Sequence, residues 1–186
     1  MTIAVVAPRP EWPAEFEAVA RRLRDALGPR ALRIHHIGST SVPGLAAKDI
    51  VDLQVIVESL DGLEEAFAEA GFEPRLGGRI VHDHVPAGWH GDPDLWSKRL
   101  FGAPRVNAHV RLADSPNERY ALLFRDYLRA HPAVRDRWAE TKRRIAAESA
   151  DIDAYLDVKD PLTDELMTDA EAWATATGWQ VPRVSH

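Results

Sequence analysis

The 186-residue chain has no cysteine. Disulfides, thiolate zinc sites and cysteine nucleophiles are excluded together, and the composition suits a reducing cytosol. Long apolar runs are also missing: no segment approaches the ~20 apolar residues that cross a bilayer. The opening Met1-Thr2-Ile3-Ala4-Val5-Val6 lacks a basic flank and is stopped by Pro8-Arg9-Pro10, so no signal peptide is expected. A cytoplasmic protein without a membrane partner is the expectation. An excess of positive charge is absent too, since the formal net charge is −6. That disfavours a nucleic-acid partner while leaving room for a local basic groove.

Glycine-rich nucleotide motifs are missing as well. Gly38 and Gly44 are separated by five residues and Leu45 follows Gly44, so the Walker A spacing and its lysine are not met. No G-x-G-x-x-G occurs. P-loop kinase and dinucleotide-dependent dehydrogenase chemistry are therefore unsupported.

What is present has clear periodicity. Trp12, Phe16, Val19, Leu23 and Leu27 fall at helical spacing, and Gly28-Pro29 closes that helix. Strands are expected over 31–37 and 50–57, and a capped helix from Asp61 to Gly71. A short strand near 79–82, a long loop rich in Gly, Pro and His, and a strand over 95–101 come next. Val106, Ala108, Val110 and Leu112 alternate with polar residues, a half-buried strand. Beyond Ser115-Pro116-Asn117-Glu118, an N-cap with proline at the first helical position, the chain turns helical. One helix runs to the His131-Pro132 corner and a second to about Glu148, with Val134, Trp138 and Ile145 on one side. Two more are expected over 151–158 and 162–177. The layout is α+β: a mixed sheet with flanking helices over 1–114, then a helical layer over 115–180.

The chemistry concentrates in Gly38-Ser39-Thr40-Ser41 and the strand behind it. Glycine permits close backbone approach, and hydroxyls with exposed amides can hold phosphate oxygens. Side chains two apart share a strand face, so Asp52 and Gln54 point one way and Asp49 the other. Metal-dependent phosphoryl or nucleotidyl transfer needs carboxylates on one such face. Taken alone, the turn is more often a structural βα turn than a ligand site, whereas Asp52 is equally a carboxylate paired with a backbone amide or with Arg99. Lys48, Arg99, Arg125 and Lys159 could converge on an anion, although Arg125 beside Asp126 also suits a surface pair and Lys159 a helix-end charge. His82-Asp83-His84 with His90 and Asp92 has the composition of a metal cluster, but its loop setting suits a solvated lid better.

"HIGSTSVPGLAAKDIVDLQV" (36–55) resembles the signature of the GrpB family, and the likeness continues through "NAHV" (107–110), "FRDYLRAHP" (124–132) and the Tyr155–Lys159 pair. It covers nearly the whole chain and implies a single GrpB-like domain over 1–186. The family is assigned by resemblance to the nucleotidyltransferase superfamily, and it also forms the C-terminal extension of some actinobacterial dephospho-CoA kinases, where it is regarded as a folding accessory. The resemblance implies a nucleotidyltransferase-like fold and a nucleotide or phosphate-ligand site. That site would comprise Gly38, Ser39, Thr40, Ser41, Lys48, Gln54, Arg99, Tyr155 and Lys159, with Asp52 and His109 as catalytic or metal-ligating residues. The superfamily's second acid falls on Gln54 and its third on His109. Two lost carboxylates weaken Mg²⁺ binding, and an Asp/His pair suits Mn²⁺ or Zn²⁺, or no metal. Two functions stay open: a nucleotide site with transfer chemistry, or a non-catalytic folding or interaction module with a protein partner.

Overall fold

The computed structural model describes residues 4–86 and 89–183. Its framework follows from alternation in the strands. Six strands among the described residues form one mixed sheet: β1 (Arg33–Ile37), β2 (Val51–Val57), β3 (Glu73–Pro74), β4 (Val81–His82), β5 (Ser97–Ala103) and β6 (Val106–Leu112). Their order is β1-β2-β6-β5-β3, with β4 also on β5. β2 and β6 run parallel and every other pair is antiparallel. The mixed α+β architecture expected from the pattern is the one observed.

On one face Val51, Leu53, Val55 and Val57 of β2 meet Val106, Ala108 and Val110 of β6 in the main core. Helix α1 (Trp12–Leu27) covers that face with Phe16, Val19, Ala20, Leu23 and Leu27, and the short α2 (Glu64–Glu69) adds Phe67, whose ring stacks on Phe101 at 3.9 Å between centroids. Each such large apolar side chain removed from water contributes about 1.5–3 kcal/mol. The other face carries the polar half of the alternation and looks towards α3 (Pro116–Ala130), α4 (Pro132–Glu148) and α5 (Ile152–Thr177). These helices form a second core around Leu123, Leu128, Trp138, Met167 and Ala170. Val42, Leu45 and Ala46, just after the Gly-Ser turn, insert into this second core. The turn is thereby fixed between the two layers.

Several local expectations change. The two helices expected over 151–158 and 162–177 are one helix, α5, with Pro161 inside it. Proline lacks the N–H for the i→i−4 bond and crowds the preceding turn, which is why the sequence suggests a break. Burial on both sides overrides it: Tyr155 packs with Ile145 and Ala146, while Met167, Ala170 and Ala174 sit in the second core. The Thr163 hydroxyl also donates to the Lys159 carbonyl at 2.9 Å. β5 starts at Ser97, because Pro93–Trp96 forms a 3-10 turn in which the Asp92 carboxylate accepts from the Asp94 amide. α2 lacks the expected capping box: Glu64 pairs with Arg99, and Asp61 caps nothing there. The Ser115 cap does form, accepting from the Glu118 amide, while the Glu118 carboxylate accepts from the Asp114 amide at 2.8 Å and from Arg33 at 2.9 Å.

Because α5 is continuous through Pro161, Pro161→Ala should restore a helical hydrogen bond and raise stability by about 1–2 kcal/mol, a fraction of the full proline penalty. Urea denaturation checks this, and an unchanged or lower midpoint would mean that the helix is broken there.

Candidate functional site

Between the polar sheet face and α3–α5 lies a cavity of about 500 Å³. The parallel register of β2 and β6 builds its floor. Asp52 stands opposite Asn107, and Gln54 opposite His109. Asn107 Nδ2 donates to Asp52 Oδ1 at 3.0 Å, and His109 Nε2 lies 3.7 Å from the same oxygen. On β5, Lys98 stands opposite Arg111 and so faces the same way.

The Gly-Ser turn closes over Asp52. Gly38 has φ +67°, and a Cβ there would lie 2.8 Å from Asp52 Oδ2, so both backbone angle and space demand glycine. The three hydroxyls after it have separate tasks. Ser41 Oγ donates to the Gly38 carbonyl at 2.6 Å, and Thr40 Oγ1 lies 3.0 Å from His36 Nε2. Ser39 Oγ instead meets Lys142 Nζ of α4 at 2.8 Å. Lys142 also donates to the Ala46 carbonyl at 2.6 Å.

Lysines reach the cavity from α4, from α5 and from the loop ahead of β2. Lys48, Lys142 and Lys159 all line the cavity with Tyr155. Lys48 Nζ lies 5.5 Å from the Tyr155 ring centre, a cation–π distance. Burial holds the Lys48 ammonium below its ordinary range, and Lys159 adds to the effect. Burial, with Lys159, Arg143 and Lys48, pushes Lys142 down to about 7. On the floor, His109 is held below the usual histidine range by burial and by Lys98 and Arg111. Burial would raise the Asp52 carboxyl, but His109, Asn107 and Lys48 hold it below the usual carboxylate range. Neutral His109 beside ionised Asp52 is the arrangement at neutral pH.

The structure therefore gathers Gly38, Ser39, Thr40, Lys48, Asp52, His109, Tyr155 and Lys159 around one cavity. Three expected members stand elsewhere. Ser41 turns back into its own turn. Gln54 is buried behind Arg111, whose Nη1 donates to Gln54 Oε1 at 2.6 Å. Arg99 is on the opposite sheet face, donating to the Leu60 carbonyl at 3.2 Å and the Gly78 carbonyl at 2.6 Å, because strand alternation gives the cavity to its neighbour Lys98. Arg99 accordingly does not partner Asp52. Arg125 is also outside the cavity, buried with Nη1 donating to the His36 carbonyl at 3.1 Å.

Lys142, Lys98 and Arg111 escape the sequence reading of the site, and Asp83 enters it only as part of the 82–92 loop cluster, not as a partner of the cavity cations. Lys142 had a signal, since it falls four residues after Trp138 and three before Ile145, on the inward stripe of α4. Asp83 had none of that kind. It enters from the loop after β4 and accepts from Arg111 Nε at 2.8 Å, from Lys98, and from Asn117 Nδ2 at 3.2 Å. The neighbouring histidines diverge: His82 lies 3.0 Å from Asp94, and His84 lies 2.9 Å from Asp164 of α5. Among the described residues, no three His, Cys, Asp or Glu side chains are placed to hold a metal ion. Asp52 and His109 alone, flanked by Lys98 and Arg111, do not fit a hard divalent cation, which needs several oxygen donors.

Comparison with known proteins now bears on the arrangement. The family model described as GrpB protein matches residues 2–169. The chain belongs to the GrpB family. A solved GrpB structure from Enterococcus faecalis is similar, with a TM-score of 0.73 and 32% identity over 91% of this chain and 99% of that one. A dephospho-CoA kinase of Mycolicibacterium paratuberculosis is 39% identical over 96% of this chain but only 48% of its own length. A UPF0157 protein of Halalkalibacterium halodurans is 33% identical over 92% of this chain and 84% of its own. This chain thus spans about half the length of the dephospho-CoA kinases it matches. Among the described residues, no helix is long and apolar enough to cross a membrane.

The Asp83 cluster gives a pH test. Burial alone would raise the Asp83 carboxyl, but Arg111 and Lys98 hold it far below the usual carboxylate range. A depressed carboxyl contributes stability that is full above the unfolded value of about 4 and is lost as pH falls towards the folded one. Asp83→Asn should therefore cost about 3 kcal/mol at pH 7 by leaving two buried cations unmatched. The gap between parent and variant should shrink steadily below about pH 4. Urea midpoints from pH 7 to pH 2.5 check it, and a gap independent of pH would contradict the charge assignment.

Proposed function

We propose that this GrpB-family protein binds a phosphate-bearing small molecule of the nucleotide class in the cavity, without a resident divalent metal. The observation that carries the reading is the convergence of Lys48, Lys142 and Lys159 on one wall, two of them held below the ordinary lysine range by burial and by their neighbours. Ammonium groups repel one another, and burial removes the water that would screen them. An anion seated among them relieves both penalties. The Gly-Ser turn lies at the same wall, where Ser39 can share phosphate oxygens with Lys142. Tyr155, Tyr120 and Trp138 supply aromatic surface in the same cavity for a base or other flat group. The superfamily resemblance supports the same ligand class. Metal-dependent transfer is not part of this reading, because the carboxylates such chemistry needs are replaced at Gln54 and His109.

The test is thermal stabilisation in EDTA by a panel of nucleoside triphosphates, dephospho-CoA and phosphopantetheine. One ligand at about 100 times its dissociation constant should add about 2.7 kcal/mol. Lys159→Ala should reduce the shift at least tenfold in apparent affinity and make the remainder less salt-sensitive. A shift that needs Mg²⁺ or Mn²⁺, or one unchanged in Lys159→Ala, counts against the assignment.

A second reading rests on a separate observation: dephospho-CoA kinases carry, over about half their length, a region 36–39% identical to this chain. On that reading the protein assists the folding of a kinase partner. Co-expression with a dephospho-CoA kinase lacking such a domain should raise its soluble yield several-fold. An unchanged yield despite demonstrated contact would remove this reading.

A further inference from the structure

The contact between Ser39 and Lys142 has a chemistry of its own, independent of whether a nucleotide binds. Lys142 is only 3% exposed, and among the described residues none of its hydrogen bonds is to a carboxylate. Its Nζ lies 2.8 Å from Ser39 Oγ and 2.6 Å from the Ala46 carbonyl oxygen. As an ammonium, Lys142 donates to both Ser39 Oγ and the Ala46 carbonyl. Once it loses a proton, one N–H still donates to Ala46 and the freed lone pair can take the Ser39 hydroxyl proton. A nucleophile in hydrogen-bond reach of a base, with the base oriented by a third group, is the geometry of serine activation. Both residues line the cavity, so a substrate atom can reach Ser39.

We propose that Ser39 and Lys142 form a nucleophile–base pair that cleaves a small anionic ester or thioester. Ser39 Oγ attacks the acyl carbon as its proton passes to Lys142 Nζ. Collapse of the tetrahedral adduct breaks the bond to the alcohol or thiol, which leaves with that proton. Water then attacks the acyl-serine with Lys142 again taking the proton, and the carboxylic acid departs as Ser39 recovers its hydrogen. Acyl transfer is favoured over phosphoryl transfer because it needs no metal to neutralise a phosphoryl group. The anionic part of the substrate would sit against Lys48 and Lys159.

At neutral pH a share of the base is already in the neutral form that this chemistry requires. The charged groups facing Lys142 are Lys48 ahead of β2, Lys159 with its partner Asp160 on α5, and Arg143 on its own helix. Tyr155 on α5, with its hydroxyl pushed up to about 12, remains neutral. The cations and burial bring Lys142 to about 7. Deprotonation then gains Ser39 reactivity as pH rises through neutrality.

The probe is p-nitrophenyl acetate on the full chain, with the acetylated residue located by peptide mass spectrometry. Acetyl-Ser39 should form with a rate that inflects near pH 7. Lys142→Arg and Lys142→Met, read only if their circular dichroism and melting show a folded chain, should slow it about 100-fold. Ser39→Ala should abolish that adduct and leave background acetylation of surface lysines intact. Acetylation of Lys142 in place of Ser39, no acetyl-Ser39 on the folded parent, or an undiminished rate in Lys142→Arg overturns the proposal. Should both Lys142 variants unfold, the parent decides alone: a rate that follows hydroxide without an inflection near 7 overturns it. None of these results depends on nucleotide binding, so the two readings fail separately.

Discussion

The parallel pairing of β2 with β6 is the constraint on which the site depends. Side chains of paired strands keep their faces only in registers that differ by an even number of residues, and a slip by one would turn every side chain over. Val51, Leu53 and Val55 must be buried against α1, and so must Val106, Ala108 and Val110. Once those six are placed, Asp52, Asn107 and His109 have no other direction to take. The polar constellation is thus held by hydrophobic burial on the reverse of the sheet. The same logic sends Lys98 into the cavity and Arg99 out of it.

Charge around the cavity is balanced in two distinct ways. On the floor, Asp83 matches Lys98 and Arg111 with a carboxylate from the same chain. That cluster holds the loop after β4 down on the sheet, because removing Asp83 leaves two buried cations without their shared carboxylate. On the helical wall, Lys159 is matched by Asp160, while the hydrogen bonds of Lys142 are to a hydroxyl and a carbonyl. The floor cations thus share a carboxylate, whereas, among the described residues, no hydrogen-bond partner of Lys142 is one.

How much of this was legible depends on the range of each signal. Strand alternation is local, and it correctly put Asp52 and Gln54 on one face and His109 on the polar side of its strand. It could equally have assigned Lys98 and Arg111, whose neighbours alternate in the same way. Helical periodicity is also local, and Lys142 lies on the stripe of Trp138 and Ile145, where a lysine should have drawn notice. Asp83 depends on a loop fold and on pairing with two strands remote in sequence, which no periodicity carries. Pro161 misled for the opposite reason: its local preference is strong, but α5 is packed on both sides of it. The histidines of the 82–92 loop looked clustered because they are close in sequence. In space His82 and His84 part to Asp94 and Asp164.

The residue at position 54 ties the metal question to the anion site. A carboxylate there would meet the Arg111 guanidinium, which already donates to Gln54 Oε1 at 2.6 Å. With glutamine, Arg111 keeps its charge available for Asp83, and Asp83 in turn holds Lys98. A divalent cation at Asp52 would then face Lys98 and Arg111 with one carboxylate oxygen pair to hold it, and like charges a few ångströms apart in a part-buried site repel strongly. The neutral residue at 54 and the histidine at 109 therefore fit the charges around them. They accompany a set of cations, Lys98 and Arg111, that flanks Asp52 and occupies the side from which further oxygen donors would have to reach a cation.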